Sequence, residues 1–187
     1  MRSLIALLMF LPTVAAAKPL FHFTLVSDQS NADARVPFMG IAKARVSFPD
    51  MSGELSMWPD RPDAFEFHVK VDAKTIRASN QMMTRIIKGR QFFDVQNHPL
   101  ITFNGTGFKL TSDTTAAVTG DMTARGMTRP VEMTVTFASP PAENDGHSPI
   151  DFTASTQINR REFGMNAYPV IVGNIVKILI KAQMRPD

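Results

Sequence analysis

The side chains that usually carry chemistry are few in this sequence and poorly placed for it. Its four histidines, His22, His68, His98 and His147, are scattered along the chain, and no metal site is expected of them. There is no cysteine, which excludes disulfides, thiolate metal sites and a cysteine nucleophile. No G-x-S-x-G elbow exposes a serine, and no glycine loop is built to cradle a phosphate. Asp94 is a carboxylate expected to bond backbone N–H groups in its turn rather than to move protons. The expectation is therefore a binding protein, with no catalytic residues, no metal and no cofactor. Arginine is the group left to weigh. Arg160 has two open readings: bonded to backbone carbonyls at a strand end, or holding the phosphate oxygens of a ligand head group in its planar fork.

The elements that would position such a binding site are read from period. Phenylalanine occurs fourteen times against one Trp and one Tyr, and its lack of a polar handle suits a dry interior; twelve Met add side chains that mould to irregular shapes. Phe21, Phe23 and Leu25 alternate with His22 and Thr24, the pattern of a half-buried strand. A second extended run reaches Met39 and turns at Gly40. Ala42, Ala44, Val46 and Phe48 form the next row, which bends at Pro49 to Gly53 and resumes at Leu55 and Met57, as one long bent strand or as two. Phe65, Phe67, Val69 and Val71 make the clearest row. From Ala73 the period changes: Ser79 or Asn80 caps a short helix whose apolar stripe is Met82, Met83, Ile86 and Ile87, and Gly89 stops it.

Strands resume with Ile101 to Leu110, where Gly105 and Gly107 mark a bulge or bend. Val118, Met122 and Ala124 lead through a turn at Arg125 to Arg129 into Val131, Met133, Val135 and Phe137, a hairpin. After a polar loop from Pro140 to Pro149, Phe152, Ala154, Thr156 and Ile158 form another row, and Asn174 to Met184 carries Val176, Ile178 and Ile180. About eight or nine antiparallel strands with one apolar face each cannot lie flat in water. A sandwich would cover those faces; closure into an all-β, antiparallel up-and-down β-barrel of about eight strands, with one short helix over one end, is the favoured solution. Such a barrel either fills with side chains or holds one small ligand. Its candidate apolar lining is Phe65, Phe67, Val69, Phe103, Val118 and Met122, with Met133, Val135, Phe152, Ile158, Val176 and Ile178.

Between the helix and the next strand, Arg90 to Phe103 reads RQFFDVQNHPLITF, a crossover too apolar to stay in water. Phe92, Phe93, Asp94 and Val95, then Pro99, then Ile101, Thr102 and Phe103 resemble the signature of the YceI-like family. The family's later pattern, an arginine two residues ahead of an acidic-Phe-Gly-Met run, is matched by Arg160, Glu162, Phe163, Gly164 and Met165. The resemblance covers Leu20 to Met184. It implies a lipocalin-like barrel that binds a polyisoprenoid or similar apolar chain. Where many members carry an Arg-Asp pair upstream of the crossover, this chain has Met83 and Thr84, so no role of that pair carries over.

Residues 1–17 have the order of a secretory signal: Arg2, an apolar run from Leu4 to Leu11, then Ala15, Ala16 and Ala17. Cleavage after Ala17 leaves one barrel domain, 18–187, expected in the periplasm. The net charge of +3 falls to +2 with the loss of Arg2, too small an excess for dedicated nucleic-acid binding. Its distribution says more. In an up-and-down barrel the loops after Met39, Asp72, Ala124 and Asn159 share one end, which collects Lys74, Arg77, Arg85, Lys88, Arg90, Arg125, Arg129, Arg160 and Arg161 against Asp94 and Glu162. Arg160, Arg161, Arg125 and Arg129 are the candidate head-group rim, and this end is expected to touch an anionic membrane surface. The expected function is an exported, non-catalytic protein holding a polyisoprenoid or similar apolar chain, such as an isoprenoid quinone or fatty amide. A stress-related or structural module with a solid core, or a lipid hydrolase, is the alternative.

Overall fold

Period-two alternation turns each strand into a wall with a dry and a wet face, and the hydrogen-bond ladders join these walls into a closed ring. The computed structural model describes residues 20–40, 42–58 and 61–187; the signal expected over 1–17 lies outside them. In chain order the elements are β1 (Phe21–Leu25), β2 (Asn31–Phe38), β3 (Ala42–Phe48), β4 (Met51–Trp58), β5 (Arg61–Asp72), β6 (Arg77–Ala78), α1 (Gln81–Lys88), β7 (Leu100–Leu110), β8 (Thr115–Ala124), β9 (Met127–Phe137), β10 (Ile150–Asn159) and β11 (Ile175–Pro186).

These segments make eight walls. β1 and β2 both run antiparallel to β11, β1 along its far half (Leu25 opposite Met184) and β2 along its near half (Arg35 opposite Lys177). They are one wall, broken by the short helical turn Ser27–Gln29. β3 pairs with β2 and β4 with β1, so the stretch from Ala42 onward is two strands that continue one another in a single wall, bent at Pro49–Asp50. Antiparallel ladders then run through β4, β5, β7, β8, β9, β10 and β11, and β11 closes the barrel on β1 and β2.

The two ends are built differently. β5 stops at Asp72, level with the bend, where the Asp72 N–H donates to the Asp50 carbonyl at 3.1 Å. Above it β6 takes the place beside β3 (Val46 opposite Ala78), and α1 follows. The β9–β10 ladder likewise stops at Thr134 opposite Ser155. Phe163, 1% exposed, packs in the same apolar cluster as Val131 and Met133 and fills the seam above. One end therefore has two opened seams stoppered by loops. The opposite end, with the β7–β8 turn, the 138–149 loop and both termini of the ring, stays paired across register shifts at Met57–Trp58 and Gly105–Gly107.

Several local expectations are corrected. The β8–β9 turn is two residues, Arg125 and Gly126, both left-handed (φ 52° and 71°), so pairing runs up to Ala124 opposite Met127. Such a tight turn matches the twist of the strands it joins, and it puts Arg129 on β9 rather than in a loop. Asn80 Oδ1 accepts from the Met83 N–H at 2.9 Å and caps α1. Only Met83, Ile86 and Ile87 of its stripe turn inward; Met82 is 71% exposed. The Asp94 carboxylate takes the Asn97 side-chain amide at 2.9 Å, and it is the Asp94 carbonyl that accepts the N–H groups of Asn97 and His98. The bulge at Gly105–Gly107 is present, as a register shift against β8.

A candidate ligand chamber and its basic rim

Directly opposed residues share a face, so Phe103 of β7 and Met122 of β8 point into the barrel together, as do Val118 and Met133 of β8 and β9. The rows do not fill the space they enclose. A chamber of about 400 Å³ lies in the stoppered half, and a smaller one of about 110 Å³ lies beyond it. A packed interior tolerates few voids larger than a water molecule, so these are chambers and not packing defects. Met51, Val69, Phe103, Met133 and Ile180 line both and form the junction.

The void has a cause in side-chain size. Ala32, Ala34, Ala44 and Ala124 point into the large chamber, where β-branched or aromatic residues would have filled it. Because the chamber is open inside, Phe67, Val69, Ile158, Val176 and Ile178 are only part-buried although they face inward.

All twelve residues expected to line the interior do so. Val69, Phe103, Met122, Met133, Ile158, Val176 and Ile178 border the large chamber, and Phe65, Phe67, Val118, Val135 and Phe152 the small one. The lining is apolar except for Thr102, Arg160 and Tyr168 in the large chamber. None of the four histidines borders either chamber. His22 and His68 are on the outer wall, bonded to Ser56 Oγ at 3.0 Å and Asn104 Oδ1 at 2.9 Å. Among the described residues no three His, Asp or Glu side chains are grouped to hold a metal ion.

The lid of the large chamber escaped the strand pattern. It comprises Met83, Ile86 and Ile87 of α1, Phe92 and Phe93 of the crossover, and Met165, Tyr168, Ile171 and Val172 of the β10–β11 connection. Phe93 packs edge-on against Phe48 at 5.7 Å, and Phe92 stacks on Tyr168 at 6.1 Å. Tyr168 and Ile171 border the chamber yet are 47% and 42% exposed, so the mouth opens beside them.

Arg160 lies under this mouth, 3% exposed. Its Nε donates to the Gly173 carbonyl at 2.9 Å, one terminal nitrogen to Met165 and Ala167, the other to Val172 at 2.8 Å. Four of its five N–H groups are thus spent on backbone carbonyls, and the head-group reading of this residue gives way to the backbone one. Burial first, and then the Arg161 charge, pull its pKa below the usual guanidinium value. Arg125 donates to the carbonyls of Gly164 and Arg90, tying the β8–β9 turn, the β10–β11 connection and the crossover together at one end. Arg129 and Arg161 remain exposed there. The four rim arginines are therefore at the same end, two built into it and two presented by it.

Compared with known proteins, the chain matches the YceI-like domain model over residues 23–184. It is 29% identical over 133 residues to a UPF0312 protein of Pseudomonas putida, covering 71% of this chain and 69% of that one. A UPF0312 protein of Pseudomonas fluorescens is 28% identical over the same shares of both chains. Among solved structures, Burkholderia cenocepacia BcnA superposes with a TM-score of 0.75 at 19% identity, covering 85% of this chain and 98% of that one. A polyisoprenoid binding domain from Saccharophagus degradans, implicated in plant cell wall breakdown, gives 0.71 at 9% identity, covering 89% and 99%. At such identities the structural likeness speaks for the shared barrel.

Proposed function

The chain belongs to the YceI-like family, and from that premise we propose that it is an exported, non-catalytic lipid-binding protein whose barrel holds the apolar chain of an isoprenoid or related amphiphile. The observation that carries this reading is the pair of adjoining apolar chambers, the larger of about 400 Å³, within the range of small-molecule pockets. The chain would enter at Tyr168 and Ile171 and run past the Phe103–Met133 junction toward the small chamber. An anionic or polar head would stay at the rim near Arg129 and Arg161. The polyisoprenoid-binding character of the Saccharophagus degradans domain supports the same ligand class. The signal-like order of residues 1–17 supports a periplasmic location.

Energetics favour a long chain. Each buried CH₂ gains about 0.8 kcal/mol, while association costs at least about 4 kcal/mol of lost freedom. About fifteen buried carbons then yield at most about 8 kcal/mol, an affinity no tighter than micromolar. A hydrolase reading finds no support at the site, since the lining supplies a Thr hydroxyl and a Tyr but no histidine or carboxylate to activate them. A solid-core module is disfavoured by the chambers themselves.

Native mass spectrometry of the protein isolated from its cellular compartment without detergent tests the proposal. A one-to-one adduct with the mass of a prenyl-chain lipid is expected. Protein that is ligand-free, and stays so when incubated with prenyl alcohols and quinones, would refute it.

A further inference from the structure

Exposed apolar side chains on this barrel are not scattered. Ten large ones stand exposed among the described residues, and six of them, Met39, Met82, Met127, Tyr168, Val170 and Ile171, belong to the turns, helix and strand ends of the rim. Leu100 and Ile175 open strands at the same end, Leu179 stands on the outer wall of β11, and Leu110 is at the other end. Val170 is 94% exposed. The Met39 N–H donates to the Ile171 carbonyl at 2.8 Å, so the β2–β3 turn and the 168–172 loop stand side by side and present one apolar crown. That crown adjoins the mouth of the large chamber, because Tyr168 and Ile171 belong to both.

Cations surround it. Lys74, Arg77, Arg85, Arg90, Arg129 and Arg161 are all exposed at or near this end. Among the described residues the one ion pair, Arg45–Asp33 at 2.6 Å, is on the outer wall, so no carboxylate neutralises these six at salt-bridge distance. Nearby carboxylates are few: Asp72 accepts the Lys74 N–H, Asp94 the Asn97 amide, and Glu162 is exposed beside Arg161. An apolar tip inside a basic collar fits a surface that is negative outside and hydrocarbon just beneath, where apolar tips enter the headgroup boundary and cations meet anionic headgroups.

We propose that this end docks on an anionic lipid bilayer with the chamber mouth facing the membrane, so that a lipid chain passes between bilayer and barrel without crossing water. The transfer half rests on the lipid-holding function proposed above; the docking half does not.

Co-sedimentation with phosphatidylglycerol-containing vesicles, against pure phosphatidylcholine vesicles, tests the docking. Binding should require the anionic lipid, weaken as salt rises, and fall at least tenfold in a Val170→Asp, Met82→Asp double variant and in a Lys74→Ser, Arg85→Ser double variant. These four side chains line neither chamber, so uptake of a prenyl alcohol in vesicle-free solution should be unchanged in both variants. Orientation has a built-in reporter, since the single Trp, Trp58, sits on β4 at the end away from the crown. Brominated lipids should leave Trp58 emission unchanged, and should quench a Val170→Trp probe placed in a Trp58→Phe background. Equal binding to neutral vesicles, no binding at low salt, quenching of Trp58, or capture by an acidic protein with no vesicle binding would overturn the docking. Protein that takes up prenyl alcohol yet ignores vesicles refutes docking alone. Protein that docks but takes up nothing refutes the lipid-holding reading alone.

Discussion

Four N–H groups of Arg160 end on the carbonyls of Met165, Ala167, Val172 and Gly173, so this side chain is the internal frame of the β10–β11 connection. A lysine has three donors on one point and cannot span that set. Each buried carbonyl left without a partner costs about 1–3 kcal/mol, so Arg160→Lys should cost at least about 2 kcal/mol. Urea unfolding checks this as a lower midpoint at unchanged slope. Arg129→Ser and Arg161→Ser should stay within about 0.5 kcal/mol of the parent, as exposed substitutions do, while weakening retention of an anionic amphiphile. Phe67 makes the complementary case. Removing a fully packed Phe costs about 3–5 kcal/mol, but Phe67 borders the small chamber and is only part-buried. Phe67→Ala should fall below that range and shift the retained lipid toward longer or bulkier chains, read by mass spectrometry of the extracted ligand.

At the scale of elements, the walls and the helix over one end were legible and the rest of the stopper was not. Strands repeat every two residues, so a row such as Phe65, Phe67, Val69 and Val71 announces its inner face without reference to any partner. The bend at Pro49–Asp50 and the Gly105–Gly107 bulge could also be read, because proline and glycine leave local marks. Beyond α1, the lid follows no such period. Met83, Phe92, Met165 and Tyr168 meet only once the crossover and the β10–β11 connection fold over the same opening. The choice between the two readings of Arg160 depended on carbonyls up to thirteen residues away, held in place by that loop. The chamber itself was hidden in the small residues of β2, β3 and β8: rows were recognised by their large members, whereas Ala32, Ala34 and Ala124 make the room. Close packing elsewhere is testable at Gly120, where a Cβ would sit 2.4 Å from both the Asn104 carbonyl oxygen and the Phe103 ring. Gly120→Ala should destabilise by about 1–3 kcal/mol, a fall of about 2–4 °C in Tm per kcal/mol.

For the whole molecule, the two ends divide the work. One end is stoppered by loops, carries the mouth and bears the basic collar. The other encloses the small chamber, which under the proposed function would be the length stop for a bound chain. Ala154 borders that chamber and faces Val135 and Ile180 across its ladders. Ala154→Leu should shorten the longest chain retained while changing stability by less than about 1.5 kcal/mol, since added volume enters empty space. A solid core would show the reverse, with strain from overpacking and no change in bound lipid.

The methionines offer the most direct test of the interior. Met51, Met122 and Met133 border the chambers, whereas Met39, Met82 and Met127 are exposed outside them. Methyl-labelled methionine spectra recorded during titration with farnesol should show the first three resonances shifting together to saturation at one equivalent, with the outer three unmoved. A titration that shifts only the outer methyls, or none, would contradict a barrel that holds its ligand inside.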